Sequence, residues 1–169
     1  MRVAWVAVTT ALLGAALAAV GAMRTATRLD RLHARTDAAW AALEAALYRR
    51  ALTVSALEDS VAVRCAAHEA LHAQPTAREE LENELSRMLS ALDRCGLEPA
   101  SASELADAEQ RVVIARRVYN DAVRDTLALR SHRLVRWLRL AGTAPLPRYF
   151  EIAEPTLAGY GLELDGAGA

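Results

Sequence analysis

Residues 24–74 read RTATRLDRLHARTDAAWAALEAALYRRALTVSALEDSVAVRCAAHEALHAQ, a run with neither proline nor glycine. Within it apolar or small residues recur at Leu29, Leu32, Thr36, Trp40, Leu43, Leu47, Val54, Leu57, Val61, Cys65 and His68. Steps of three and four place these positions on one face of a helix and trace a coiled-coil-like seam. The spacing predicts one long helix that ends at Gln74-Pro75, because the residue before a proline is pushed out of the α region.

Immediately upstream, Val3–Met23 reads VAWVAVTTALLGAALAAVGAM and carries no charge. As a helix these residues reach ~30 Å, the thickness of a hydrocarbon core, so a transmembrane segment is expected over residues 1–23. A cleaved signal peptide is the rival, with Arg2 as a minimal basic flank and Val20-Gly21-Ala22 as small residues for a peptidase. The apolar run exceeds the ~7–15 residues of a signal core, which favours a retained anchor. Arg24, Arg28, Arg31 and Arg35 follow the segment against one acid, Asp30, while Arg2 and the α-amine precede it. The positive-inside rule then puts the N-terminus outside and the rest of the chain in the cytoplasm, as a single-pass protein of the cell membrane.

Downstream, Thr76-Ala77-Arg78-Glu79 forms a capping-box pattern that opens a second helix, with Gly96 as its stop. Leu81, Leu85, Met88, Leu89 and Leu92 mark its apolar face. A third helix follows Pro99, announced by Ser101-Ala102-Ser103-Glu104 and able to run to Gly142, with Leu105, Val112, Tyr119, Val123, Leu127, Leu134 and Leu138 as its stripe. The fold class expected is all-α: a transmembrane helix leading into an elongated antiparallel bundle over 24–142, of three long helices, or four if the first breaks near Arg50. Residues 143–169, with Pro145, Pro147 and Pro155, read as a partly docked and otherwise flexible acidic tail.

Composition agrees, with 38 alanines against 8 glycines and 5 prolines, a balance that favours helix over sheet. All 20 basic residues are arginine, which with the alanine excess points to GC-rich coding. The net charge of -1 gives no block of basic charge suited to nucleic acid. Cys65 and Cys95 are too few for a disulfide framework and are expected to be free, buried thiols.

Three groups of residues invite a chemical reading. His68-Glu69-Ala70-Leu71-His72 is a literal H-E-x-x-H, which sets two imidazoles on one helical face for zinc with Glu69 as general base, and Cys65 lies one turn earlier. A metal-dependent hydrolase needs a third ligand and a strand-edged cleft, and the only other histidines are His33 and His132. The pair near a helix C-terminus is therefore read as capping carbonyls, and neither a metal nor a cofactor is expected. The second group is the basic amphipathic stretch bearing Arg130, Arg133, Arg136, Trp137 and Arg139, suited to anionic lipid or to a partner, or simply a solvated helix face. On a three-helix path this end lands far from the bilayer; a broken first helix reverses that. The third is Arg49-Arg50 with Arg116-Arg117, which suit phosphate or carboxylate but are expected in ion pairs with acids such as Glu44, Glu109 and Asp121.

Arg31-Leu32-His33-Ala34-Arg35-Thr36-Asp37-Ala38-Ala39-Trp40, then Leu43, Leu47 and Arg49-Arg50, is similar to the arginine-rich stretch, "AW" pair and "LKRR" of the LemA family of bacterial membrane-anchored helical proteins. Ala115-Arg116-Arg117-Val118-Tyr119-Asn120-Asp121-Ala122-Val123 resembles that family's "ARRxYNxAV", and Pro147-Arg148-Tyr149-Phe150-Glu151 its "PYFE". The chain departs from the family at Thr53–Glu58, at Thr126-Leu127 and at His132-Arg133, so the resemblance is to a divergent member. It implies a membrane-anchored helical architecture and an incidental His72; the function expected is a non-enzymatic scaffold or adaptor for other envelope proteins, with self-association open. The alternatives from other classes are the metal-dependent hydrolase at 68–72 and a lipid-surface or envelope-stress sensor at 130–139.

Overall fold

The computed structural model describes residues 2–57, 60–92, 97–138, 140–142 and 144–152, without the side chains of 2–4, 7, 57 and 134. Cys95, Gly96, Arg139, the side chains of Leu57 and Leu134, and the tail from residue 153 thus lie outside the described residues. The chain is helical, and no strand occurs among the described residues. The helices are α1 (Arg2–Leu57), α2 (Val61–Leu71), α3 (Arg78–Ser90), α4 (Pro99–Arg130) and α5 (Arg133–Trp137).

The first helix does not run to Gln74. It ends at Leu57, and Ser60 stands extended at φ -65° and ψ 117° ahead of α2, accepting a hydrogen bond from the Arg64 amide at 3.1 Å. The interruption resets the helical phase: α2 buries Val63, Ala66, Ala67 and Ala70, while Cys65 and His68, expected in the seam, are exposed. The capping box at Thr76 is not formed either. Ala77 occupies the cap of α3 with no side-chain hydrogen bond, and Glu79 and Glu80 in the first turn supply the negative charge that a helix N-terminus favours. Helix α4 begins at Pro99, where a ring that lacks an N–H fits the first helical position. It stops at Arg130 instead of reaching Gly142, which adopts φ +55°, a conformation open to a residue with no Cβ.

Among the described residues one helix, α1, is long and apolar enough to cross a membrane, a property that a signal sequence near the N-terminus shares. Its large apolar side chains described between Trp5 (70% exposed) and Met23 (71%) are exposed. The hydroxyls of Thr9 and Thr10 donate to the Val6 carbonyl at 2.9 and 2.6 Å, so neither needs water. Burial begins at Leu29 and continues through Thr36, Leu43 and Arg50, each seven residues from the last, with Leu47 between the last two and Val54 one turn beyond. Helix α4 repeats the rule with Leu105, Val112, Tyr119 and Thr126. Thr126, not Leu127, takes the buried slot, and Leu138 is exposed.

The chain divides into two units. The first joins residues up to Leu43 with Ala115–Tyr149. There α1 and α4 run antiparallel: Trp40 meets Tyr119 with ring centroids 5.2 Å apart, Thr36 meets Thr126 at 3.0 Å, Arg35 meets Asp125 at 3.1 Å, and Arg130 reaches His33 at 3.5 Å. The end of α4 thus lies beside His33, near the middle of α1, and not at the far end that a three-helix path predicts. The segment after Gly142 returns along it, with Arg130 donating to the carbonyls of Ala144 and Pro145 and the Tyr119 hydroxyl to that of Arg148. The second unit joins Glu44–Ile114 with the chain from Phe150. Its core holds Ala51, Val54, Val63, Ala66, Ala67, Ala70, Leu85, Leu89 and Leu105. The alanines of α2 let its axis approach α3 closely, so contact area is gained without large side chains. Phe150 and Ile152 are buried in the same unit.

Candidate functional site

On α2 the buried face is all alanine and valine, which turns Cys65, His68 and Glu69 outward. His72 caps the helix, its amide donating to the His68 carbonyl at 3.3 Å. The rings of His68 and His72 lie 4.5 Å apart at 55°, the proximity expected of i, i+4 imidazoles. A shallow depression of about 350 Å³ beside them is lined by Val61, Arg64, Cys65, His68 and Glu69. These two histidines are the residues that could hold a metal, but no group of three or more His, Cys, Asp or Glu is placed to do so among the described residues. Tetrahedral zinc needs three protein ligands even in a catalytic site, and Arg64 adds positive charge to the same wall. Cys65 is exposed and free, against the expected buried thiol.

The arginine pairs separate. Arg49 and Arg117 are exposed, Arg116 is half-buried, and Arg50 is in the core. Arg50 and Glu82 are each 1% exposed and joined at 2.5 Å, with a second guanidinium nitrogen donating to Ser86 Oγ at 3.0 Å. Ser86 in turn donates to the Glu82 carbonyl at 2.8 Å, and Arg50 Nε has no hydrogen-bond partner. At that burial the pair cannot meet a ligand from solution, so its work is to join α1 to α3. The partner is neither Glu44 nor any acid weighed from the sequence. Glu82 was legible through the spacing 82, 85, 86, 89 that it shares with buried α3 residues, and Arg50 through the heptad of Leu29, Thr36 and Leu43. Glu44 instead meets Arg78 at 3.4 Å.

Of the basic stretch, Arg130 is half-buried and engaged with backbone carbonyls, whereas Arg133, Arg136 and Trp137 are exposed. In the same unit a pocket of about 330 Å³ is lined by His33, Asp37, Trp40, Tyr119, Pro145 and Pro147, among others. One exposed pair shifts titration: the hydrogen bond from Arg111, against an opposing desolvation and aided by the nearby charges of Arg111 and Arg49, holds the Asp107 carboxyl below its ordinary range, and Asp107 raises Arg111. Compared with known proteins, the chain matches no family model, no curated protein and no solved structure.

Proposed function

We propose that this chain is a non-enzymatic, single-pass membrane protein of the LemA type, whose helical bundle serves on the cytoplasmic side as a scaffold or adaptor for other envelope proteins. The observation that carries the reading is the uncovered apolar run from Trp5 to Met23 on a helix whose threonines satisfy their hydroxyls internally. In water such a surface is costly, at ~25 cal/mol per Å² of apolar area. In a bilayer it is the surface required, since every polar group there must be satisfied within the protein. In the second unit Tyr48 and Leu52, one turn apart on α1, are exposed and give an adaptor an apolar contact.

Membranes washed with alkaline carbonate should retain the chain, and its intact mass should include residues 2–22. A mature N-terminus at Met23 refutes the anchor. A reporter placed after Ala169 should read cytoplasm, and an external signal reverses the orientation argued from Arg24 to Arg35. The hydrolase alternative predicts stabilisation that rises with free zinc, because a ligand bound only by the native state adds RT ln(1 + [L]/Kd). The expected result is no shift in melting temperature below millimolar zinc, and none with chelator.

A further inference from the structure

Helix α5 leaves a surface that the scaffold reading does not use. Trp137 is 81% exposed and Leu138 is exposed beside it, while Val135 on the same short helix is buried. Arg133 and Arg136 are exposed and in no ion pair among the described residues. The antiparallel pairing sets the height of this patch. Trp40 meets Tyr119, Thr36 meets Thr126 and His33 meets Arg130, so α4 advances toward the apolar run of α1 and ends level with His33, with α5 three residues further on. His33 is ten residues past Met23, ~15 Å along the axis at 1.5 Å per residue. Trp137 follows Arg130 by seven residues, a length of chain that can cover most of this distance, so α5 is within reach of the headgroup layer. Arg24, Arg28 and Arg31 on α1 face the same layer, against the single acid Asp30.

We propose that Trp137, flanked by Arg133 and Arg136, docks on anionic lipid headgroups of the membrane that α1 crosses, a second contact that fixes the first unit against the bilayer. The proposal rests on the anchor reading. Tryptophan with arginine is the pairing that interfaces favour, an amphipathic ring at headgroup level and guanidinium stems lying along apolar surface. Charge decides the occupant: Arg24, Arg28 and Arg31 on α1 and Arg133 and Arg136 on α5 carry one sign, which complements an anionic leaflet.

The test uses the full chain reconstituted in phosphatidylcholine vesicles with and without phosphatidylglycerol. The difference between the wild-type and Trp137→Phe emission isolates Trp137 from Trp5 and Trp40. With phosphatidylglycerol, this component should shift to the blue, be quenched by headgroup nitroxide, and become several-fold less accessible to acrylamide. Neutral vesicles, high salt, or the double variant Arg133→Glu/Arg136→Glu should abolish the protection, with helicity by circular dichroism unchanged. Equal acrylamide access in both vesicle types, in a chain that still resists carbonate, overturns the docking and leaves the anchor standing. Extraction by carbonate removes both. Protection in native membranes that no lipid mixture reproduces assigns the patch to a protein and also overturns the proposal.

Discussion

The two units close their helices with buried polar contacts made of opposite materials. In the first, the hydroxyls of Thr36 and Thr126 meet at 3.0 Å, and each also lies 2.9 Å from a carbonyl four residues earlier, that of Leu32 or Ala122. In the second, Arg50 on α1 meets Glu82 and Ser86 on α3. A threonine that loses its partner still has its own helix to bond. A guanidinium carries five donors and no acceptor, and nothing within one turn of Arg50 takes them. The neutral contact therefore tolerates change, and the charged one fixes a register. Both Thr36 and Arg50 occupy the same seven-residue frame on α1, so pattern placed them alike and chemistry separates them.

The largest expected effect breaks the charged contact. Arg50→Met should leave the Glu82 carboxylate buried without a counter-charge and cost about 3–5 kcal/mol, seen as a lowered melting temperature of the detergent-solubilised chain. Adding Glu82→Leu should recover most of that loss or exceed it, because a packed apolar pair replaces two desolvated ions. A single substitution costing under ~1 kcal/mol would mean that water reaches the pair and that the contrast between the units is false.

A smaller effect is expected in the first unit. Thr36→Val and Thr126→Val together remove both hydroxyls while keeping shape, and should cost less than ~1.5 kcal/mol in the same melt. Tyr119→Phe tests the neighbouring bond and should cost about 1 kcal/mol, since the Arg148 carbonyl loses a donor while the ring stays against Trp40. A loss as large as that of Arg50→Met would show that neutral contacts here carry as much as the charged one.

What the sequence conveyed follows the same division. Helix content, the apolar N-terminal run and the leucines at 43, 47, 85 and 89 were legible because burial of apolar side chains follows helical period. The break after Leu57 was not, because no proline or glycine marks it and alanine suits either phase. Reading apolar residues alone also left a gap from Leu47 to Val54, and Arg50 sits in that gap. The pairing of the end of α4 with His33 followed from tertiary packing, which propensity cannot fix. The H-E-x-x-H was visible as a motif, but which face of α2 it takes is set by the tertiary phase, and the structure turns it outward.

The smallest effect sets the zero of the comparison. Asp107 and Arg111 form an exposed ion pair one turn apart on α4 at 2.8 Å, the same chemistry as Arg50 and Glu82 without the burial. The Asp107 carboxyl is depressed, first by the hydrogen bond from Arg111, so whatever stability it lends is present above the carboxyl's unfolded value and is lost as pH falls through the lowered one. Because water and salt screen both groups, the melting temperature of Arg111→Ala at neutral pH should match the parent. The titration itself should still move: the Asp107 side-chain carbon, followed by NMR, should return toward the ordinary carboxylate range in Arg111→Ala, and part of the shift should fade in the parent at high salt. A stability loss approaching that of Arg50→Met would show that charge pairing alone, and not desolvation, governs the cost, and the distinction between the two kinds of contact would have to rest on geometry.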